Sequence, residues 1–250
     1  MFTGVPYQYA TRRLWHDRRS RHQCRHEKKE LIGDFKNAGR TWRKVAEPVL
    51  VHDWPQDAIG QAIPYGVYEV SANQGFVCVG DCFDTPRFAV EAIGDWWFLE
   101  GQKRYRDAHR LLILADAGGS NSYRSHVWKA QLQELSDIAV LPITVCHYPP
   151  GCSKWNPIEH RLFSHISINW AGVPLRTFET VMKYIEGTAT RTGLRVKAIL
   201  KRGGNELGER VSNEEMRALR IEPHAVCPAW NYTISPRPRN PDQIDQLICC

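Results

Sequence analysis

The spacing of apolar residues divides the chain into a patternless beginning and a patterned remainder. Residues 1–27 show neither a strand period nor a helix period, whereas periodic runs follow from there to the end. Residues 34–66 hold glycines and prolines between short apolar pieces, which predicts a long, mostly irregular connection. Two β-rich runs, 65–70 and 76–79, surround a turn-forming Ala-Asn-Gln-Gly sequence and predict an antiparallel hairpin.

Helix and strand patterns then alternate. An apolar stripe over 86–97 predicts a helix that Asp84 or Thr85 caps. The continuous apolar run 111–115 predicts a buried central strand that ends at Asp116. Similar patterns predict the remaining elements: helices over about 123–136, from Pro157 onward, over about 176–188 and over about 212–220, and a strand over 140–146. This order indicates an α/β fold with a mixed sheet.

Composition and charge narrow the class of protein. The chain has 250 residues, 42% of them hydrophobic, which is enough for one substantial core. The formal net charge is +6, and this surplus lies within residues 1–29, which contain eight basic side chains and only two acidic ones, Asp17 and Glu27. A basic arm attracts polyphosphate by releasing counterions, so it favours a nucleic-acid partner. A solvated tail is the alternative for the first 25 residues.

The sequence lacks the features of membrane, secreted and disulfide-rich proteins. No apolar run approaches the roughly 18 residues that span a membrane, and arginines follow Met1 too closely for a signal peptide. We therefore expect a cytoplasmic protein with no membrane partner. The eight cysteines form no repeated C-x-x-C pair and are expected to be reduced thiols. Zinc bound by Cys146, His147 and Cys152 is an alternative, although this spacing matches no familiar finger.

Asp116 and Glu159 are the candidate metal ligands. One carboxylate ends a buried strand, and the other begins a helix after the following strand, so both can face one cleft. Carboxylate oxygens suit Mg²⁺, and two such ions can bind the attacking and leaving oxygens of a phosphodiester. Both residues also have plain structural interpretations, because Asp often forms turns before glycine and Glu favours the start of a helix.

Two long motifs carry a family resemblance. Residues 111–124 (LLILADAGGSNSYR) and 146–164 (CHYPPGCSKWNPIEHRLFS) resemble the second and third catalytic blocks of the Rhodopirellula-type DDE family of insertion-sequence transposases. Shorter stretches at 28–42, 62–68 and 230–234 are also similar to that family. The resemblance runs from about residue 28 to residue 236.

The resemblance implies an RNase H-like fold in which Asp116 and Glu159 hold Mg²⁺ or Mn²⁺ for DNA strand cleavage and transfer. Transposon ends and target DNA would be the partners, together with a second copy or a full-length transposase. The first catalytic Asp of the family falls at Arg25, and a guanidinium cannot ligate a cation. We therefore expect an amino-terminally truncated, impaired copy: a basic, disordered or non-native segment 1–27, an incomplete catalytic domain 28–236, and an extended tail 237–250.

Residues around these blocks are candidates for DNA contacts. Lys and Arg side chains supply affinity for phosphates, and an exposed Trp can stack on a frayed base. The candidate DNA-binding residues are Arg124, Lys154, Trp155, Asn156 and Arg161. A buried core position is the favoured alternative for Trp155, and a structural role is favoured for His147 and His160. A catalytically dead DNA-binding or dimerising protein, and a general RNase H-like nuclease, are the rival functions.

Overall fold

The computed structural model of the protein describes residues 21–26, 29–42, 44–45, 48–149, 151–152, 155–204 and 206–238. For residues 21, 25 and 26 it describes the backbone alone. Predictions for the first 20 residues, for Glu27, for Lys154 and for the tail beyond residue 238 lie outside the described residues.

A nine-stranded mixed sheet forms the centre of the described structure. Its spatial order is β7-β4-β3-β1-β5-β6-β9-β8, and β2 pairs with β3 beside this path. The strands are β1 (Arg21–His26), β2 (Glu30–Ile32), β3 (Gly60–Glu69), β4 (Gln74–Gly80), β5 (Leu111–Ala115), β6 (Ile143–His147), β7 (Arg195–Lys201), β8 (Ile221–Pro223) and β9 (Asn231–Ile234).

The strand directions bring the ends of β1, β5 and β6 to one edge. β1 pairs antiparallel with β3 but parallel with β5, and β5 pairs parallel with β6. The carboxyl ends of these three strands therefore meet at the same edge of the sheet, which is where ligand sites of open α/β sheets form. The predicted hairpin is confirmed, since β3 and β4 pair antiparallel through seven residues each.

Helices cover both faces of the sheet. The main α-helices are α1 (Pro86–Trp96), α2 (His126–Ala139), α3 (Ser164–Asn169), α4 (Phe178–Glu186) and α5 (Asn213–Arg217), and a π-helical turn (Trp97–Gly101) and a short helix (Gln102–Arg104) follow α1. On one face α1 and α2 enclose a core that includes Trp96 and Trp128. On the other face, α4 and the helix that ends with α3 enclose a second core that includes Phe163. None of the described helices is long and apolar enough to cross a membrane.

Local capping signals explain where several helices begin. Thr85, one of the two predicted caps of α1, accepts a hydrogen bond from the Phe88 amide. The predicted capping box of α5 is present, because Ser212 and Glu215 bond each other's backbone amides. Such bonds satisfy amides that have no partner within the helix, so short-range sequence determines these positions.

Other boundaries depart from the prediction. The expected strand over 140–146 begins at Ile143, because Val140 takes a left-handed conformation that ends α2. The irregular connection ends at Ile59, because β3 already begins at Gly60, and eight of the ten residues of β3 are buried. Arg21–His26, which lies within the segment 1–27 that we expected to be disordered or non-native, forms a central strand. The apolar pattern did not predict this strand, because its buried residues include the polar side chains of His22 and Gln23.

Candidate active site

Asp116 stands at the carboxyl end of the central strand β5. Ala115 is the last residue of β5, and its carbonyl accepts a hydrogen bond from the Tyr148 amide at 2.8 Å. A 3-10 turn over Gly119–Asn121 follows, with Gly119 at φ +62°. The Asp116 side chain is half-buried at this edge of the sheet. Turn and strand therefore hold the carboxylate where the chain leaves the sheet.

Asn156 connects Asp116 to Glu159. Its side-chain amide donates a hydrogen bond to Oδ1 of Asp116 at 3.1 Å. Its main-chain carbonyl accepts a hydrogen bond from the Glu159 amide at 3.1 Å. Asn156 is fully buried. One buried residue thus contacts the side chain of Asp116 and the main chain of Glu159, the two residues that the sequence predicted as ligands.

A π-helical turn carries Glu159. This turn spans Glu159–Phe163 and continues into α3. Leu162 and Phe163 are buried against the sheet, and a Cβ atom added at Gly66 of β3 would lie 2.6 Å from Cζ of Phe163. Such close packing requires glycine at this position and seats the helix directly on the strands. π-Helical turns are uncommon and occur frequently at functional sites.

Asn121 joins the turn after Asp116 to the neighbouring strands. Its Oδ1 accepts a hydrogen bond from the Tyr65 hydroxyl at 2.8 Å, and its Nδ2 donates to the carbonyl of Cys24 at 3.2 Å. Burial raises the pKa of Tyr65 well above its ordinary value, so this hydroxyl remains a donor. The network ties β1 and β3 to the turn that positions Asp116.

His147 has a structural position, as expected. Its buried ring places Nδ1 at 3.0 Å from the Trp230 carbonyl and Nε2 at 2.9 Å from the Asn121 carbonyl. Burial lowers the pKa of His147. Because its ring nitrogens face carbonyl oxygens, His147 does not join Cys146 and Cys152 in the alternative zinc site.

Residue 25 lies beside Asp116 in the register of the sheet. The parallel pairing of β1 with β5 sets Cys24 opposite Ala115, so Arg25 and Asp116 are the next residues along the two strands. The antiparallel pairing with β3 sets Arg25 opposite Gly66, over which Phe163 packs. Residues directly opposite each other share a face of the sheet. In the backbone register, position 25 therefore lies between Gly66 of β3 and the position of Asp116.

The candidate DNA-binding residues have different environments. Arg124 and Arg161 are exposed, and the Arg124 guanidinium lies 5.2 Å from the Tyr123 ring centre. Trp155 is 70% exposed, so the interpretation of it as a core residue is wrong. Asn156 is buried and bonds Asp116, so the prediction that its side chain contacts DNA is wrong.

The candidate ligands are of the type that a hard divalent cation prefers, but there are only two of them among the described residues. Asp116 and Glu159 supply carboxylate oxygens, which Mg²⁺ and Mn²⁺ prefer. Across the ranges that the structure describes, no group of three or more His, Cys, Asp or Glu side chains could hold a metal ion. The register position beside Asp116, where a third carboxylate would complete the set, is occupied by Arg25.

A family model decides the kinship. The model of the Rhodopirellula transposase DDE domain matches residues 22–236. The chain belongs to this family. The match begins inside β1 and includes position 25. This result confirms the resemblance found in the catalytic blocks, and the nine-stranded sheet confirms the expected α/β class with a mixed sheet.

Comparison with other proteins adds little to this assignment. A search of curated proteins finds no relative of the transposase domain. Among solved structures, the Mos1 transposase paired-end complex with the left transposon end matches at 11% identity, covering 72% of this chain and 51% of that chain, with a TM-score of 0.48. The Mos1 mariner paired-end complex with Mn matches with the same identity, coverage and TM-score. The chain thus spans about half the length of these structures.

Asn156 is the residue of the site whose role the sequence did not predict. The Asn-Pro-Ile-Glu sequence placed it three residues before Glu159, yet nothing local revealed that its amide would reach Asp116, 40 residues earlier. Asn121 and Tyr65 were not predicted either, since their bond joins residues 56 positions apart. Long-range contacts of this kind follow from strand order, which single-sequence patterns do not specify.

Proposed function

We propose that this transposase domain cuts and joins DNA through a divalent metal held by Asp116 and Glu159, and that Arg25 impairs this activity. The observation that carries the proposal is that buried Asn156 bonds the side chain of Asp116 and the main-chain amide of Glu159 beside the carboxyl end of β5. A divalent cation held there would polarise the scissile phosphate and favour deprotonation of the attacking hydroxyl.

The protein's own residues supply position and charge. Asp116 follows a strand and Glu159 begins a helical turn, and Phe163 of that turn packs closely on Gly66 of the same sheet. Arg124 and Arg161 are exposed and available to DNA phosphates. Trp155 is exposed one residue before the buried Asn156, where it can stack on an unpaired base.

Arg25 is the reason to expect weak activity. A carboxylate at this position would share a metal with Asp116, whereas a guanidinium carries five donors, no acceptor and a permanent positive charge. Two carboxylates leave more of the coordination sphere to water and bind a divalent ion more weakly than three.

Nicking of supercoiled DNA in Mn²⁺ tests the proposal. We expect the chain to nick slowly or not at all and its Arg25→Asp form to nick readily, with Asp116→Ala or Glu159→Ala in that form abolishing the reaction. Asp57→Ala, which removes an exposed carboxylate in the irregular connection, is the matched control and should leave nicking unchanged. Nicking that survives both Asp116→Ala and Glu159→Ala would overturn the proposal.

The basic surplus within residues 1–29 favours a second function, a DNA-binding or dimerising protein without catalysis. Salt-dependent DNA binding by every form, with no Mn²⁺-dependent nicking even in Arg25→Asp, would select it. Cleavage of unrelated structured nucleic acids without strand transfer would select a general nuclease instead.

A further inference from the structure

We infer that Asn156 is a positioning residue, which sets the orientation of the Asp116 carboxylate and its separation from Glu159 for metal binding. The inference rests on the proposed function, because it concerns the same candidate metal site. Its starting point is the pair of hydrogen bonds that this single residue makes, one through its side chain and one through its backbone.

The side-chain bond orients Asp116. An amide nitrogen at 3.1 Å from Oδ1 donates a hydrogen bond that restricts the rotation of the carboxylate. Groups that hydrogen-bond to metal ligands orient them, and their replacement commonly costs about 10- to 100-fold in metal affinity. A carboxylate that rotates freely would have to lose that freedom each time an ion binds.

The backbone bond sets the position of Glu159. The Asn156 carbonyl accepts from the Glu159 amide at 3.1 Å, and Ile158 beside it is fully buried in the second core. The start of the helix cannot shift without moving Asn156, which in turn contacts Asp116. Both candidate ligands are therefore hydrogen-bonded to the same residue, Asn156.

The burial of Asn156 strengthens the expected effect of its removal. Asn156 has no solvent exposure, so its amide bonds Asp116 from the protein interior. Removal of this donor takes one hydrogen bond from the half-buried carboxylate, which is why truncation should affect Asp116 directly. A surface asparagine at the same place would have a much smaller effect.

Two substitutions give opposite expectations. Asn156→Ala removes the donor and should weaken Mn²⁺ binding about 10-fold or more. Asn156→Asp retains the size but places a second carboxylate beside Asp116, so the two charges repel without metal and attract a cation together. The Asp form should therefore unfold at a lower temperature without Mn²⁺ and show a larger Mn²⁺-induced rise in Tm than its parent.

The experiment measures Mn²⁺ affinity by calorimetry and Tm with and without Mn²⁺, for the chain and for its Arg25→Asp form. Asn169→Ala is the control, since this asparagine lies at the far end of the same helix and its amide donates to the Tyr184 carbonyl at 2.7 Å. We expect it to lower Tm slightly and to leave Mn²⁺ affinity unchanged.

The outcomes separate this inference from the proposed function. Mn²⁺ binding that requires Asp116 but is unchanged by Asn156→Ala, or an equal Mn²⁺-induced Tm rise in Asn156→Asp and its parent, would overturn the positioning role alone. Absence of Asp116-dependent Mn²⁺ binding in both parent forms would overturn the proposed function and this inference with it. If Asn156→Ala does not fold, the comparison of Asn156→Asp with its parent decides.

Discussion

Cys24 of β1 lies opposite Ala115 of β5, one residue before Arg25 on the first strand and Asp116 on the second. Arg25, the second-last residue of β1, therefore lies beside Asp116, the residue that follows β5. The sequence resemblance had assigned Arg25 to the place of the first catalytic Asp, and the strand register independently puts that place beside Asp116. This relationship underlies the predictions that follow.

Gly66→Ala should destabilise the domain and disturb the position of Glu159. The added Cβ would lie 2.6 Å from Cζ of Phe163, so the buried ring or the helix must move. Overpacking of this kind costs about 1–3 kcal/mol in the free energy of unfolding, which denaturant titration measures. The double variant Gly66→Ala with Phe163→Leu should recover most of the loss. Failure of the second change to restore stability would show that this contact is not the cause.

His22 should make the domain sensitive to acid. Burial, reinforced by nearby Arg104, lowers the pKa of His22 to about 3, and the ring centre lies 4.0 Å from that of Trp96. In the unfolded chain this pKa is about 6.5, so the unfolded state binds the extra proton between these values. Stability from neutral His22 is complete above pH 6.5 and declines by about 1.4 kcal/mol per unit as pH falls toward 3.

Denaturant titrations between pH 4 and pH 7 measure this effect. His22→Phe should flatten the dependence of unfolding free energy on pH relative to the parent. Replacement of exposed His109 by Phe serves as the control. A parent and a His22→Phe variant with identical pH dependence would contradict the assignment.

Arg124 and Arg161 should contribute to DNA affinity without regard to sequence. Each neutralised phosphate contributes about 0.9 to the slope of log affinity against log salt concentration, so Arg124→Ala with Arg161→Ala should reduce that slope by roughly 2. Arg191→Ala is the matched control, because this exposed arginine precedes β7 at the opposite edge of the sheet. Equal slopes for the parent and the double variant would place the DNA elsewhere.

Trp155 should bind unpaired bases. Stacking of a base on an aromatic ring contributes about 1–3 kcal/mol, and this ring is 70% exposed. Trp155→Ala should therefore weaken binding of DNA with a single-stranded overhang about 10-fold and leave blunt duplex binding unchanged. Trp155→Phe should retain most of the affinity for the overhang. An equal loss on both substrates would indicate a general structural effect instead.

Sequence patterns predicted the elements whose signals are local. The apolar run of β5, the cap at Thr85 and the capping box at Ser212 each depend on residues within a few positions, and the structure confirms all three. The strand β1 was not predicted, because a strand buried on both faces here includes His22 and Gln23. The strand β1 forms by pairing with β3 and β5, which lie far along the chain.

The candidate site shows the same division. Asp116 and Glu159 were identified from their motifs, and the strand end and helix that carry them were predicted correctly. The exposure of Trp155 and the burial of its neighbour Asn156 were not predicted, since both follow from how the loop before Glu159 returns to the sheet. Only the folded arrangement shows which of two adjacent residues turns inward.

Calorimetric titration with Mn²⁺ of the parent, Arg25→Asp and Arg25→Asn forms tests the central claim most directly. The Asn form removes the positive charge without adding a carboxylate, so it separates relief of repulsion from the gain of a ligand. We predict that Arg25→Asp binds Mn²⁺ at least about 10-fold more tightly than Arg25→Asn, and that Asp116→Ala abolishes this gain. Equal affinities of the Asp and Asn forms would contradict the assignment of position 25 to the missing metal ligand.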